Sequence, residues 1–169
     1  MPEVKLQFKK NYLAMIRNVA RGENHTFQNF YITIDGVERD ALNGGSLACG
    51  TVVSSVLYLQ NSTLEFLKKP RWIAFTHANV PAAEKDMEAC GWHQIDEVRE
   101  GAIITWEARE GTDVPVYGNM HLHMGFYIGN DRAVSNGSNS TLMPEEHHYT
   151  YDGARKILRI WWHPELDEK

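Results

Sequence analysis

Residues 121–136 constrain the fold more than any other stretch. His121-Leu122-His123-Met124-Gly125-Phe126-Tyr127-Ile128 is an apolar, aromatic-bearing run, Gly129-Asn130-Asp131 is a tight-turn signal, and Arg132-Ala133-Val134-Ser135-Asn136 reads as a returning strand. A hairpin commits this part of the chain to antiparallel pairing. It also sets two histidines at its entrance across from Ser135 and Asn136 at its exit, so that these polar groups can meet.

A second stretch, Gly44 to Leu57, reads as a helix that starts just ahead of a cysteine. Gly44 and Gly45 supply loop freedom, Ser46 is a good N-cap, and Leu47, Val53, Val56 and Leu57 recur at helical spacing. Cys49 then falls in the first turn, where backbone N–H groups and the positive end of the helix dipole favour the thiolate. A small apolar cysteine buried at a helix start is the alternative reading.

The remaining chain is punctuated as an α+β domain. A helix is expected over roughly the second half of Val4–Ala20, stopped by Arg21-Gly22, and a strand over Phe27–Ile34 ending at Asp35-Gly36. A loop from Asp35 to Gly45 leads to the cysteine helix, expected to reach Gln60, with a short second helix over Thr63–Lys68 ended by Pro70. Trp72–Thr76 reads as a strand and Asn79 as the cap of a helix over Val80–Cys90 closed by Gly91. Cys90, in the last turn, is disfavoured as a thiolate by the dipole and reads as structural. Trp92–Val98 is a connection, Glu100–Trp106 a turn into a strand, and Arg109–Asn119 a loop. After the hairpin come the loop Asn136–Ser140, a polar segment Pro144–His148, and two closing strands, Tyr149–Tyr151 and Arg155–Trp162, around Asp152-Gly153. The whole, residues 1–169, is expected to be a single domain, with 1–40 an N-terminal helix and extended segment and 44–162 the core carrying the chemistry.

Composition narrows the function classes. With 169 residues, 43% hydrophobic and 23% charged, the chain can bury one substantial core, and its Gly and Pro are dispersed, so no linker is marked. A net charge of −5 argues against nucleic acid as a partner, because such proteins carry a basic field. No run approaches the roughly 18 apolar residues of a membrane span. Met1–Lys10 lacks the basic-then-apolar order of an export signal, so the expectation is a protein cytoplasmic as synthesised. Two cysteines are too few for a disulfide framework.

A thiol nucleophile needs a base, and the base needs a polar group to fix its tautomer. Cys49, His123 or His121, and Asn136 or Ser135 supply these three types. A Cys at a helix start, followed by a β segment and then His123-Met124-Gly125-Phe126-Tyr127-Ile128-Gly129-Asn130, resembles the NlpC-type branch of papain-like cysteine peptidases and amidases. The resemblance covers Gly44 to Asn136, and the later strands fit it. It implies a papain-like core in which the Cys helix packs on an antiparallel sheet of about five strands, from near Gly101 to near Trp162. It assigns the nucleophile to Cys49 and the base to His123 rather than His121. The usual Asp-Cys-Ser-Gly is replaced here by Ala48-Cys49-Gly50-Thr51. For the third residue, strand register favours Ser135, whereas the accepting amide carbonyl of Asn136 is the chemical choice and the expected one.

The activity implied is cysteine-dependent hydrolysis of a peptide or amide bond, without cofactor or metal. Many members of that family act on bacterial wall peptides, so a peptidoglycan stem peptide is the first substrate, reached through phage lysis or a secretion machine. A cytoplasmic amidase or deconjugating peptidase is the competing account. Two other classes remain: a zinc site built from His121 and His123 with His147, His148 or His163, and a non-catalytic binding module lined by the Trp and Tyr residues.

Overall fold

The computed structural model describes residues 5–108 and 121–167. The expected loop Arg109–Asn119 lies outside the described residues. In chain order the elements are α1 (Phe8–Val19), β1 (Tyr31–Ile34), β2 (Val37–Asp40), α2 (Cys49–Phe66), α3 (Val80–Ala89), β3 (His93–Gln94), β4 (Ile103–Trp106), β5 (His123–Gly129), β6 (Arg132–Asn136), β7 (Pro144–His148) and β8 (Ile157–Trp162). The architecture is mixed α+β. The strands β3-β8-β4-β5-β6-β7 lie in that order in a six-stranded antiparallel sheet, and β1 and β2 form a separate hairpin. Among the described residues no helix is long and apolar enough to cross a membrane.

The central strands β4, β5 and β6 are largely buried on both faces, and the two faces differ in character. Met124, Phe126 and Ile128 alternate on β5 toward the helices, where they join Phe8, Tyr12 and Ile16 of α1 and Val53, Val56 and Leu57 of α2 in the main core. The opposite face carries a smaller aromatic cluster of Ile104, Trp106 and Ala133 with Tyr127, Tyr149 and Tyr151 packed against it. His123 and Gly125, two residues apart on β5, belong to that second face. Glu84 fixes α3 to the sheet by accepting from Thr105 Oγ1 at 2.6 Å, from Arg159 Nε and Nη2 at 2.8 and 2.9 Å, and from Trp161 Nε1 at 3.1 Å.

Several expectations are corrected by tertiary bonds that no local pattern encodes. α1 starts at Phe8 because Phe8, Tyr12, Leu13 and Ile16 form its buried stripe. α2 runs unbroken past Gln60, and Asn61 inside it donates to Ile73 O at 2.7 Å and accepts from the Trp72 amide at 3.0 Å. Trp72–Thr76 is therefore not a strand: the Trp72 amide goes to Asn61, and those of Ala74 and Phe75 go to the Asp86 carboxylate. The strand expected over Phe27–Ile34 pairs only from Tyr31, and its partner β2 lies in the expected loop. Asp35 and Gly36, with φ of 51° and 78°, form the two-residue turn between them. Tyr149–Tyr151 is a turn, and the sheet gains β3, which pairs with Trp161 and Trp162 before the expected start at Gly101. Ser46 does not cap α2. Its hydroxyl donates to Asn43 O at 3.1 Å, and Ala48 occupies the cap position.

Gly125 is the residue on which the second face turns. A Cβ there would lie 2.5 Å from Val134 O, 2.6 Å from Ser135 Cβ and 3.1 Å from the Trp106 ring. Gly125→Ala should therefore destabilise the fold by about 1–3 kcal/mol, the usual cost of overpacking a dense site. Denaturant unfolding checks this, and unchanged stability would contradict the close packing.

Candidate active site

Strand register assembles a polar cluster on the second face. Gly125 pairs with Ser135, so the Ser135 side chain lies one step along the same face from His123, and its Oγ is 2.8 Å from His123 Nε2. On the other side of β6, Ala133 pairs with His147. Alanine leaves room for the His147 ring, whose Nε2 is also 2.8 Å from Ser135 Oγ. Tyr151 stacks on His147 with ring centroids 4.0 Å apart and brings its hydroxyl to 2.8 Å from the same Ser135 Oγ. The Trp106 ring closes the group, with centroids 5.6 Å from His123, 5.7 Å from His147 and 5.5 Å from Tyr151.

Three partners around one hydroxyl leave a single arrangement of protons. His147 Nδ1 lies 2.8 Å from the His148 carbonyl, which can only accept, so His147 carries its proton on Nδ1. Its Nε2, in the neutral ring, is then an acceptor and takes the one proton of Ser135. Having spent that proton, Ser135 can only accept from Tyr151 and from His123, so His123 is protonated on Nε2. The basic nitrogen of His123 is accordingly Nδ1.

Burial sets the charge states. His123 is 4% exposed, and desolvation, with Arg155 and His147 nearby, holds its imidazole well below the usual value. Burial lowers His147 as well, so both rings are neutral at neutral pH. The Tyr151 phenol is pushed up to about 12, first by burial and also by the charge of Cys49.

Cys49 opens α2 at the end of the sheet where β5 begins. Its Sγ lies 3.7 Å from the carbonyl of Leu122, the residue before His123, and it is 6% exposed. No side chain of the N-cap residue Ala48 caps the start of α2. The turn before it is held tightly. Asp40 accepts from the amides of Phe30, Leu42 and Gly44 at 2.9, 3.0 and 2.8 Å. Against the opposing effect of burial, these bonds and the Asn29 amide lower the Asp40 carboxyl to about 2. Gly45, at φ 98°, passes so close to Leu142 that a Cβ would lie 2.5 Å from its carbonyl. Behind the helix, a Cβ at Gly50 would lie 2.9 Å from the backbone of Asn79.

Of the residues expected in the site, His123 and Ser135 are bonded to each other, Cys49 lies against the carbonyl of the residue before His123, and Asn136 departs. Adjacent strand residues face opposite ways, and Asn136 Nδ2 donates to Gly45 O at 2.7 Å and to Ser138 Oγ at 3.1 Å. The residue on His123 is Ser135. Asn136 instead ties β6 to the turn that presents Cys49. His121 is partly exposed, and its buried Nε2 finds no hydrogen-bond partner among the described residues. His148 accepts from Thr150, and His163 bonds to Cys90 O at 3.1 Å against Trp72 and Trp92. Among the described residues no three His, Cys, Asp or Glu side chains are grouped to hold a metal ion. Cys90 sits at the C-cap of α3, 3.7 Å from Asp86, and burial followed by that carboxylate raises its thiol.

Sequence reasoning missed Tyr151 and Trp106 and offered His147 only as a possible zinc ligand. The available signal was the period of two in Glu145-Glu146-His147-His148, which puts His147 on the same face as Ser135 once β7 is recognised as a strand. Comparison with family models, with curated proteins and with solved structures finds no match in any of the three.

The neutral rings make stability pH-dependent. His123, His147 and His163 are all depressed by burial in the folded chain, whereas in the unfolded chain they titrate near ~6.5. Below that value the unfolded state binds more protons, so the stability they contribute is complete above it and is lost as the pH falls through the folded values. Urea unfolding at about pH 7.5 and about pH 5.5 should show the lower stability at the acid value, and His147→Gln, which cannot titrate, should narrow the gap.

Proposed function

We propose that the protein is a cysteine-dependent hydrolase of peptide or amide bonds, built on a papain-like core of the NlpC type. The observation that carries this reading is the proton arrangement around Ser135, which leaves His123 Nδ1 basic on the strand that starts at the Cys49 sulfur. The antiparallel sheet under a helix with cysteine at its first residue agrees with the same reading.

The neutral state of His123 makes it a general base rather than the cationic half of a resting ion pair. As Cys49 Sγ attacks the carbonyl carbon, its proton passes to His123 Nδ1, and the charge on the imidazolium is met by the Ser135 oxygen at Nε2. The N-terminal end of α2, with the helix dipole behind it, stabilises the oxyanion. His123 then protonates the departing amine, leaving a thioester on Cys49. Water, deprotonated by His123, attacks that thioester and releases the acid, and the sulfur regains its proton. The substrate class we favour is a wall peptide, on the resemblance of the hairpin motif, with a cytoplasmic amide as the competing class. Zymography on purified wall beside a panel of small amides separates the two.

Cysteine labelling tests the reading without knowledge of the substrate. Iodoacetamide at about pH 7 should modify Cys49 well ahead of Cys90, whose raised thiol sits at a helix C-terminus. His123→Ala should slow labelling of Cys49, and Ser135→Ala should slow it in the folded fraction while also lowering stability, because three buried partners lose their bond to its hydroxyl. Asn136→Ala should cost about 0.5–1.5 kcal/mol of stability, since the Gly45 carbonyl keeps only the Ala48 amide, with labelling of the folded fraction less affected. Equal labelling of the two cysteines, or a Cys49 indifferent to His123, would contradict the proposal.

A further inference from the structure

We propose that His147 is a positioning residue for this site: by accepting the single proton of Ser135 it forces Ser135 to accept from His123, and so fixes the His123 tautomer that makes Nδ1 the base. This rests on the reading of Cys49 and His123 above and goes beyond it by assigning a fourth residue.

The argument starts from what a serine can do. A carboxylate beside an imidazole only accepts, so it sets the tautomer unaided, and an amide carbonyl does the same. A hydroxyl can donate or accept, and its proton rotates. Ser135 alone would therefore let His123 Nε2 be either protonated or bare, and in the second case the proton would sit on Nδ1, where it disables the base. Something must take the Ser135 proton.

His147 is the group placed to take it. Its Nδ1 is committed to the His148 carbonyl at 2.8 Å, so the lone pair on Nε2, 2.8 Å from Ser135 Oγ, is the acceptor. Tyr151 completes the arrangement by stacking on the ring at 4.0 Å and donating its hydroxyl to the remaining lone pair of Ser135 at 2.8 Å. Ser135 is then saturated, with one bond donated and two accepted. The charged and titratable groups that bear on His147 are Glu145 on its own strand, Arg132 on β6, and Arg155 in the segment before β8, with His123 and Tyr151 against the cluster. The neutral ring, the strand pairing with Ala133 and the backbone carbonyl at its far nitrogen all serve one outcome.

Nitrogen-15 NMR of the full chain labelled at histidine reads the tautomer directly, and the iodoacetamide rate at Cys49 reads its consequence. In the wild type, His123 should show a protonated Nε2 and a bare Nδ1. His147→Ala should mix or reverse that signature and slow alkylation of Cys49 about tenfold or more, a part of the roughly 10²–10⁴-fold that a general base contributes. His147→Gln, whose side-chain carbonyl can accept from Ser135, should restore the signature and most of the rate. Tyr151→Phe should keep the signature, since it removes a donor to Ser135 and not the acceptor of its proton. A wild-type His123 protonated on Nδ1, or a His147→Ala protein with unchanged signature and rate, would overturn the proposal, and the wild-type spectrum decides even if the alanine variant fails to fold. The expected signature with a Cys49 that resists alkylation would uphold the relay and overturn the nucleophile, so the two failures are distinguishable.

Discussion

The site depends on one hydroxyl. Ser135 Oγ is shared by His123, His147 and Tyr151, each at 2.8 Å, in surroundings where an unmade hydrogen bond costs about 1–3 kcal/mol. That penalty is what orders the protons. The roles are linked, so a carbonyl at His148 decides which nitrogen of His123 carries the proton. Low polarity strengthens each link, and Trp106, fully buried against all three rings, keeps water out.

Cys49 is positioned by a different set of interactions. Asp40, Gly45 and Asn136 hold the turn ahead of α2, and the bare contact of Gly50 with Asn79 seats the helix start against α3. α3 is itself fastened to β4 and β8 through Glu84. The cysteine and the histidine thus reach the same end of the sheet by independent routes, one through turn geometry and helix packing, the other through strand register. Misplacement of either by an ångström would undo the arrangement, which accounts for glycine at three close approaches, Gly45, Gly50 and Gly125.

Much of this was legible in the residues. The hairpin over 121–136, the Cys49 helix, the Asn79 cap and the strand ending at Trp162 follow from periodicity and turn chemistry, because local preference and tertiary packing agree there. Where they disagree, the local reading fails: Trp72–Thr76 has strand composition, but its amides are claimed by the side chains of Asn61 and Asp86. The choice between Ser135 and Asn136 was a contest of register against chemistry, and register decided it, since a one-residue step moves a side chain to the other face. His147 was hidden because the polar run Pro144–His148 has no apolar alternation, its outer residues being solvent-facing on an edge strand.

The central claim is that Cys49 acts as a nucleophile with His123 as its base. An activated ester such as p-nitrophenyl acetate tests it at the chemical step, with peptide mass spectrometry after brief exposure. The account predicts an acetyl group on Cys49 as the first modification, absent or strongly slowed in His123→Ala, with Cys90 unmodified. Acetylation of Cys90 or surface lysines ahead of Cys49, or an adduct on Cys49 that forms equally fast without His123, would contradict it.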